Sequence, residues 1–149
     1  MDNITHSLFG AAVAETVWRA IPEEKREKTK GFRLWILFVS FVSNNFPDLD
    51  YAYARFFHTQ YKLAYLLHHR GHTHTFLTTL LQAVLILTGF WWLAKRFKIA
   101  WGKTEWIALA VTCITGLWGH IFLDGMNSYG IHPFWPFFNG WIYGDTLFI

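Results

Sequence analysis

Residues 68–94 read HHRGHTHTFLTTLLQAVLILTGFWWLA. Four histidines and an arginine stand among the first seven positions, and the twenty residues from Thr75 to Ala94 carry no charge. An apolar run of about twenty residues is long enough to cross a hydrocarbon core as a helix. Ionisable groups are costly inside such a helix, and those kept there are usually functional. The stretch therefore predicts a membrane helix that opens on a polar site, and the rest of the chain can be read from that mouth outward.

The chain has 149 residues, the size of one domain, and we read residues 1–149 as a single membrane-embedded unit. It is 53% hydrophobic and 20% aromatic but only 15% charged, whereas soluble domains carry about 25% charged residues. The formal charge of +3 is modest. Ten of its thirteen lysines and arginines cluster in two short segments, 19–33 and 95–103, rather than in a stripe with nucleic-acid motifs. This pattern argues against a nucleic-acid partner and for a lipid bilayer surface. Cys113 is the single cysteine, which excludes a disulfide within the chain; in its apolar run it reads as a small packing residue. The N-terminus MDNITHSLFG lacks the basic region of a cleavable signal peptide, so the first apolar segment is expected to be retained.

Three more helical segments join the one that follows the histidines. The first spans about Ile4 to Ala20 and contains Gly10, Ala11, Ala12 and Ala14, small residues that let helices approach closely in a bilayer. The second runs from Leu34 to about Phe46 and stops at Pro47, the third from Thr73 to Ala94, the fourth from Trp106 to Leu123. The expected fold class is all-α: a polytopic membrane bundle of about four transmembrane helices. The first two segments are short and would have to tilt, thin the bilayer or end below its surface.

Arg19, Lys25, Arg26, Lys28, Lys30 and Arg33 follow the first segment, and Lys95, Arg96, Lys98 and Lys103 follow the third. The positive-inside rule puts both groups in the cytoplasm, and Trp91, Trp92, Trp101 and Trp106 flank the second as an interfacial belt would. That topology brings His6, Asp48, Asp50, the histidine cluster, His120 and Asp124 to one level on the outer side.

These residues are metal-ligand types. Neutral imidazole is the commonest protein ligand for zinc, and Gly71 lets the chain turn so that His69 and His74 both point inward. His120 and Asp124 are four apart, on one helix face. NNFPDLDY supplies Asp48 and Asp50 after a proline, where they can be ligands, a general base, or members of an ordinary turn. His6 is the weakest single candidate, beside capping residues Thr5 and Asn3. Glu15 lies nine residues on, about 13 Å deeper, and reads as an ion pair instead. Arg70 suits a phosphate or carboxylate, or lipid headgroups. The aromatic tail NSYGIHPFWPFFNGWIYGD is a candidate cap over the site, with Asn127, Tyr129 and Trp135 the candidate substrate contacts, or else a plain aromatic belt. The best donors are His6, Asp48, Asp50, His69, His74, His120 and Asp124, with His68, His72 and Asp145 in reserve. A single zinc takes about four ligands. The surplus predicts two divalent ions bridged by a carboxylate, for which Asp124 is preferred; Zn is the first choice, with Mn, Fe or Co as alternatives.

The pieces ITHSLFGAAVAE, NNFPDLDY, HHRGHTHT, GHIFLDGMNSYG and FWPF together resemble the YdjM-type membrane-bound metal-dependent hydrolases of bacterial and archaeal inner membranes. His69, Arg70, Gly71, Thr73 and His74 fit that family's HRGxTH motif, with His72 on its variable position. The resemblance implies metal binding and hydrolysis of a poorly defined substrate. Relatives are expected to continue past the ending GDTLFI. A looser similarity of ligand order links His6, Asp48, His69, His120 and Asp124 to zinc-dependent phospholipases C, which implies Asp124 as bridge and Asp48 near the attacking water.

The resulting expectation is a hydrolase acting at the outer face of the membrane on a lipid ester, a phosphoester first. The metal would lower the pKa of a water, Asp48 or Asp50 would take its proton, and Arg70 would help stabilise the developing charge. Two alternatives use the same residues: a metal-ion or proton transporter, for which Thr78, Thr79, Gln82, Thr112 and Thr115 make a thin pathway, and a structural metal that ties helices together. The oligomeric state is left open.

Overall fold

His6, Gly10, Ala14 and Trp18 recur every fourth residue and form the buried stripe of the first helix, while Ala11 and Ala12 face outward. In the computed structural model, which describes residues 3–29, 31–51 and 72–146, that helix is α1, Asn3–Ala20. It is followed by α2, Glu23–Lys28, and α3, Phe32–Asn45. After short 3-10 turns at Pro47–Leu49 and His72–His74 come α4, Phe76–Arg96, and α5, Lys103–Gly125. The expected all-helical class holds: the described residues contain no strand, only an isolated antiparallel bridge between Ile131 and Ile142.

Each long helix is buried along one face. In α3 that face is Phe32, Ile36, Val39, Ser40, Ser43 and Asn44, and in α4 it is Thr79, Ala83, Ile86, Phe90 and Ala94. The sequence along these faces changes character from one end to the other. At one end Trp18, Phe32, Ile36, Phe90, Leu109 and Cys113 form the apolar core. At the other, the buried residues are His6, Ser43, Asn44, His74, Thr75, His120 and Asp124. The α1–α3 and α4–α5 pairs run antiparallel, so the chain returns twice to the polar end. The basic segments share the opposite end, where the Lys25 ammonium donates to Thr104 Oγ1 at 2.7 Å. There Trp101 packs edge-on against Phe32, Trp35 and Trp106 instead of standing free in a belt.

Close approach near the polar end depends on glycine. A Cβ on Gly10 would lie 2.9 Å from Asn44 Nδ2 and 3.3 Å from the Ser40 carbonyl. One on Gly116 would collide with Ser43 Oγ and lie 2.7 Å from Asn44 Nδ2. Helices α1 and α5 therefore sit with their backbones against α3, as small residues permit in membrane bundles.

Among the described residues two helices, not four, are long and apolar enough to cross a membrane: Phe76–Arg96 with 21 residues and Lys103–Gly125 with 23. At 1.5 Å per residue they reach about 32 and 35 Å, enough for a hydrocarbon core of about 30 Å. The expectation of four spans fails on length and charge. α3 has 14 residues and reaches only about 21 Å; α1 has 18 but carries Glu15 and Arg19. Only 28% of the apolar window of α4 is buried inside the protein. Leu77, Leu80, Leu81, Val84 and Leu85 point outward from it, as a lipid-facing helix requires.

The remaining segment, 126–146, folds back over the polar end. Gly130 takes φ +71°, where a Cβ would approach the Ile142 carbonyl to 2.8 Å. That turn lets Ile131 and Ile142 exchange two backbone hydrogen bonds of 2.9 Å. The Pro133 carbonyl accepts from the Phe76 N–H at 2.9 Å, tying the tail to the start of α4.

Candidate metal centre

Each donor arrives on an element whose end or face is fixed by local sequence. Pro47 ends α3 and begins the 3-10 turn that carries Asp48. His74 closes the next 3-10 turn, directly before Thr75, whose hydroxyl accepts the Thr78 N–H at 3.1 Å and caps α4. His120 and Asp124 stack on the buried face of α5. His6 belongs to the buried stripe of α1.

Asp48, His74, His120 and Asp124 bring four ligand atoms within 4.8 Å of one another. His74 Nε2 lies 3.1 Å from His120 Nε2. Asp48 Oδ1 is 3.4 Å from His74 Nε2 and 3.5 Å from His120 Nε2. Asp124 Oδ2 is 3.5 and 3.8 Å from the same two nitrogens. Zinc bonds of about 2.0–2.1 Å in a tetrahedron have edges of about 3.3–3.4 Å, so these five edges fit one tetrahedral ion. The two carboxylates also match its charge.

Hydrogen bonding fixes which lone pairs face the centre. His120 Nδ1 lies 2.6 Å from the Asn44 carbonyl oxygen, which can only accept, so Nδ1 carries the proton and Nε2 the lone pair. Thr73 Oγ1 donates to Asp50 Oδ2 at 2.8 Å and lies 2.9 Å from His74 Nδ1. An ionised carboxylate accepts only, so the threonine proton goes to Asp50 and His74 Nδ1–H donates to the threonine. Both Nε2 lone pairs then face each other across 3.1 Å. Such an arrangement requires a positive charge between them.

The electrostatics agree. Burial alone would push the Asp48 carboxyl up, but with a proton on Nε2 the His120 and His74 rings that face it outweigh burial and hold the group well below the usual carboxylate range. Burial alone would lower His74, but Asp124 and Asp48 outweigh it and raise its pKa. A proton or a divalent ion at Nε2 answers the same demand.

His6 lies beside the four-donor group. Its Nε2 lies 3.3 Å from Asp124 Oδ1, the oxygen turned away from the four-donor group, and its ring stacks on His120 at 3.9 Å between centroids. The ring is fully buried, and neither nitrogen has a hydrogen-bond partner. Asp124 thus presents one oxygen to His74 and His120 and the other to His6.

Other expected site residues fall elsewhere. Asp50 is buried behind His74, on the Nδ1 side, outside the four-donor group. Asn127 Oδ1 accepts the Tyr129 N–H at 2.8 Å and so shapes the backbone turn. Tyr129 is exposed, Trp135 packs on the exposed His72 ring at 4.6 Å, and Asp145 is exposed on the tail. Glu15 bonds Arg19 at 2.7 Å and Arg33 at 2.8 Å, linking α1 to α3. His68, His69 and Arg70 lie outside the described residues. Sequence reading missed Asn44 and Thr73 as partners of the histidines. A visible signal existed for Thr73, a hydroxyl next to His74, whereas Asn44 acts through its backbone.

A helical bundle with two candidate membrane spans and a buried, charge-matched His/Asp cluster at one end defines a membrane protein with a candidate metal centre. Residues 1–149, the whole chain, match the family model described as YdjM inner membrane protein, and the chain belongs to that family. No curated protein and no solved structure matches it.

Proposed function

We propose that this chain is a membrane-bound metal-dependent hydrolase acting on a lipid ester, a phosphoester first, at the outer face of the membrane. The observation that carries the reading is the cluster itself: three buried donors and the part-buried Asp48 at tetrahedral spacing, with His6 on the far oxygen of Asp124. Asp48, His74, His120 and Asp124 would hold one zinc-type ion, and Asp124 with His6 begins a second site beside it. A divalent ion there supplies Lewis acidity and makes water a nucleophile at neutral pH. Asp48, with 14% of its side chain exposed, is the donor best placed to take a proton from attacking water. Arg70 is assigned to the anionic oxygens of the substrate from its motif alone.

Orientation follows from the basic segments at the end opposite the cluster. By the positive-inside rule these segments would lie in the cytoplasm and the cluster outside, which supports this reading. Exposed Phe134, Phe137, Phe138, Trp141 and Tyr143 on the tail offer apolar surface at the cluster's end, suited to acyl chains.

The structural-ion reading has one observation on its side, because four protein donors close a zinc shell. The transporter reading has less. The hydroxyls beneath the cluster donate to backbone carbonyls: Ser40 to Gly10, Ser43 to Ser40, and Thr112 to Ala108. Among the described residues they form no continuous relay, and the apolar core lies beyond them.

The test is zinc-loaded, detergent-purified full chain on phospholipids and isoprenyl phosphates, wild type beside Asp48→Ala. Turnover by wild type that vanishes in the variant is expected. A fully zinc-loaded wild type that cleaves none of them refutes the phosphoester reading and leaves the structural ion.

A further inference from the structure

Asp50 stands out as a buried carboxylate that the four-donor group does not use. It is 1% exposed, and Oδ2 accepts the Thr73 hydroxyl at 2.8 Å. Its direct distance to His74 Nδ1 is 3.6 Å, too long for a hydrogen bond, while Thr73 Oγ1 is 2.9 Å from that nitrogen. The threonine therefore relays between ring and carboxylate, and the direction of every proton in the chain is fixed: Nδ1–H to hydroxyl oxygen, hydroxyl proton to Asp50.

We propose that Asp50 and Thr73 are positioning residues that hold His74 in the Nδ1–H tautomer, aim its Nε2 lone pair at the ion, and thereby set the ion affinity of the centre. The inference rests on reading the cluster as an ion site. A ring nitrogen whose partner nitrogen donates toward a carboxylate is both oriented and more basic, and loss of such outer partners typically costs about 10–100-fold in metal affinity. Asp48 and Asp50 thus have separate work although one residue divides them. The Pro47–Leu49 turn sets Asp48 against both Nε2 atoms, and Asp50 contacts the back of the same ring through Thr73.

The test is zinc affinity of the full chain in detergent, by chelator competition, for wild type, Thr73→Val, Thr73→Ser and Asp50→Asn. The melting temperature of each ion-free protein and the visible spectrum of each cobalt-loaded protein are read alongside. Thr73→Val and Asp50→Asn are expected to bind zinc about 10–100-fold more weakly, with a shifted cobalt spectrum. Thr73→Ser keeps the hydroxyl and is expected to bind as wild type does. Wild-type affinity in both Thr73→Val and Asp50→Asn overturns the inference while leaving the ion site intact. Equal weakening in Thr73→Ser, tracking a common fall in melting temperature, also overturns it, since that marks packing alone. A wild type that binds no zinc removes the ion site, and the inference with it.

Discussion

Replacing Gly116 with alanine tests whether the close contact of α5 with α3 supports the candidate metal centre. The new Cβ would collide with Ser43 Oγ, lie 2.7 Å from Asn44 Nδ2 and 3.2 Å from Ser43 Cβ. Neither neighbour is free to swing away. Ser43 Oγ donates to the Ser40 carbonyl at 3.1 Å, and Asn44 Nδ2 donates to the same carbonyl at 2.9 Å. Relief requires the two helices to separate, and overpacking of this kind costs about 1–3 kcal/mol. The same separation would move the Asn44 carbonyl from His120 Nδ1, now 2.6 Å away, and disturb the tautomer that the centre needs. Gly116→Ala is therefore expected to lower both the melting temperature of the ion-free protein and its zinc affinity. Gly89→Ala is the control, because a Cβ there meets nothing within 4 Å. It should leave zinc binding unchanged and add up to about 1 kcal/mol of helix propensity. Wild-type melting and wild-type zinc affinity in Gly116→Ala would refute the packing argument.

Gly10→Ala, which approaches the backbone carbonyl of Ser40 at 3.3 Å, should lower the melting temperature in the same assay. Zinc affinity should rise with pH through the neutral range, since the raised pKa of His74 lets protons compete for Nε2 above the ordinary histidine range; an affinity flat between pH 6 and 8, read by chelator competition at about the ordinary His pKa of 6.5, would contradict that assignment. In a Cys113→Ala background, cysteines placed at Lys28 and at Tyr129 should react with an impermeant thiol reagent from opposite faces of the membrane, Tyr129 from outside. Labelling of both from one face would contradict the orientation.

The helices were legible because apolar residues recur at helical spacing and stop at Pro47 and Gly125. His6, His120 and Asp124 were legible because they interrupt apolar helix faces, where ionisable groups are conspicuous, and His74 because it belongs to a dense histidine cluster. What the sequence hid depends on turns. Nothing in PDLD says which aspartate faces the cluster; the 3-10 turn begun by Pro47 decides it. Asn44 acts through a carbonyl of the last turn of α3, where helix ends leave acceptors without internal partners, and backbone atoms leave no residue signature. Among the described residues the expected four spans reduce to two because α3 is too short to cross a hydrocarbon core and α1 carries Glu15 and Arg19. Helix α2 has no apolar face to mark it, although Glu23 and Glu24 in its first turn and Lys28 in its last suit a helix dipole.

The most direct test is metal content per chain in the purified full-length protein, wild type beside His74→Ala and Asp124→Ala. The account predicts bound divalent metal in wild type, near two equivalents if His6 and Asp124 complete a second site, and a sharp fall in both variants. Asp124→Ala should lose most, because its oxygens face His74, His120 and His6 together. Wild-type protein that holds no metal after loading with zinc or manganese would contradict the account and leave a buried proton between His74 and His120 as the charge that the cluster requires.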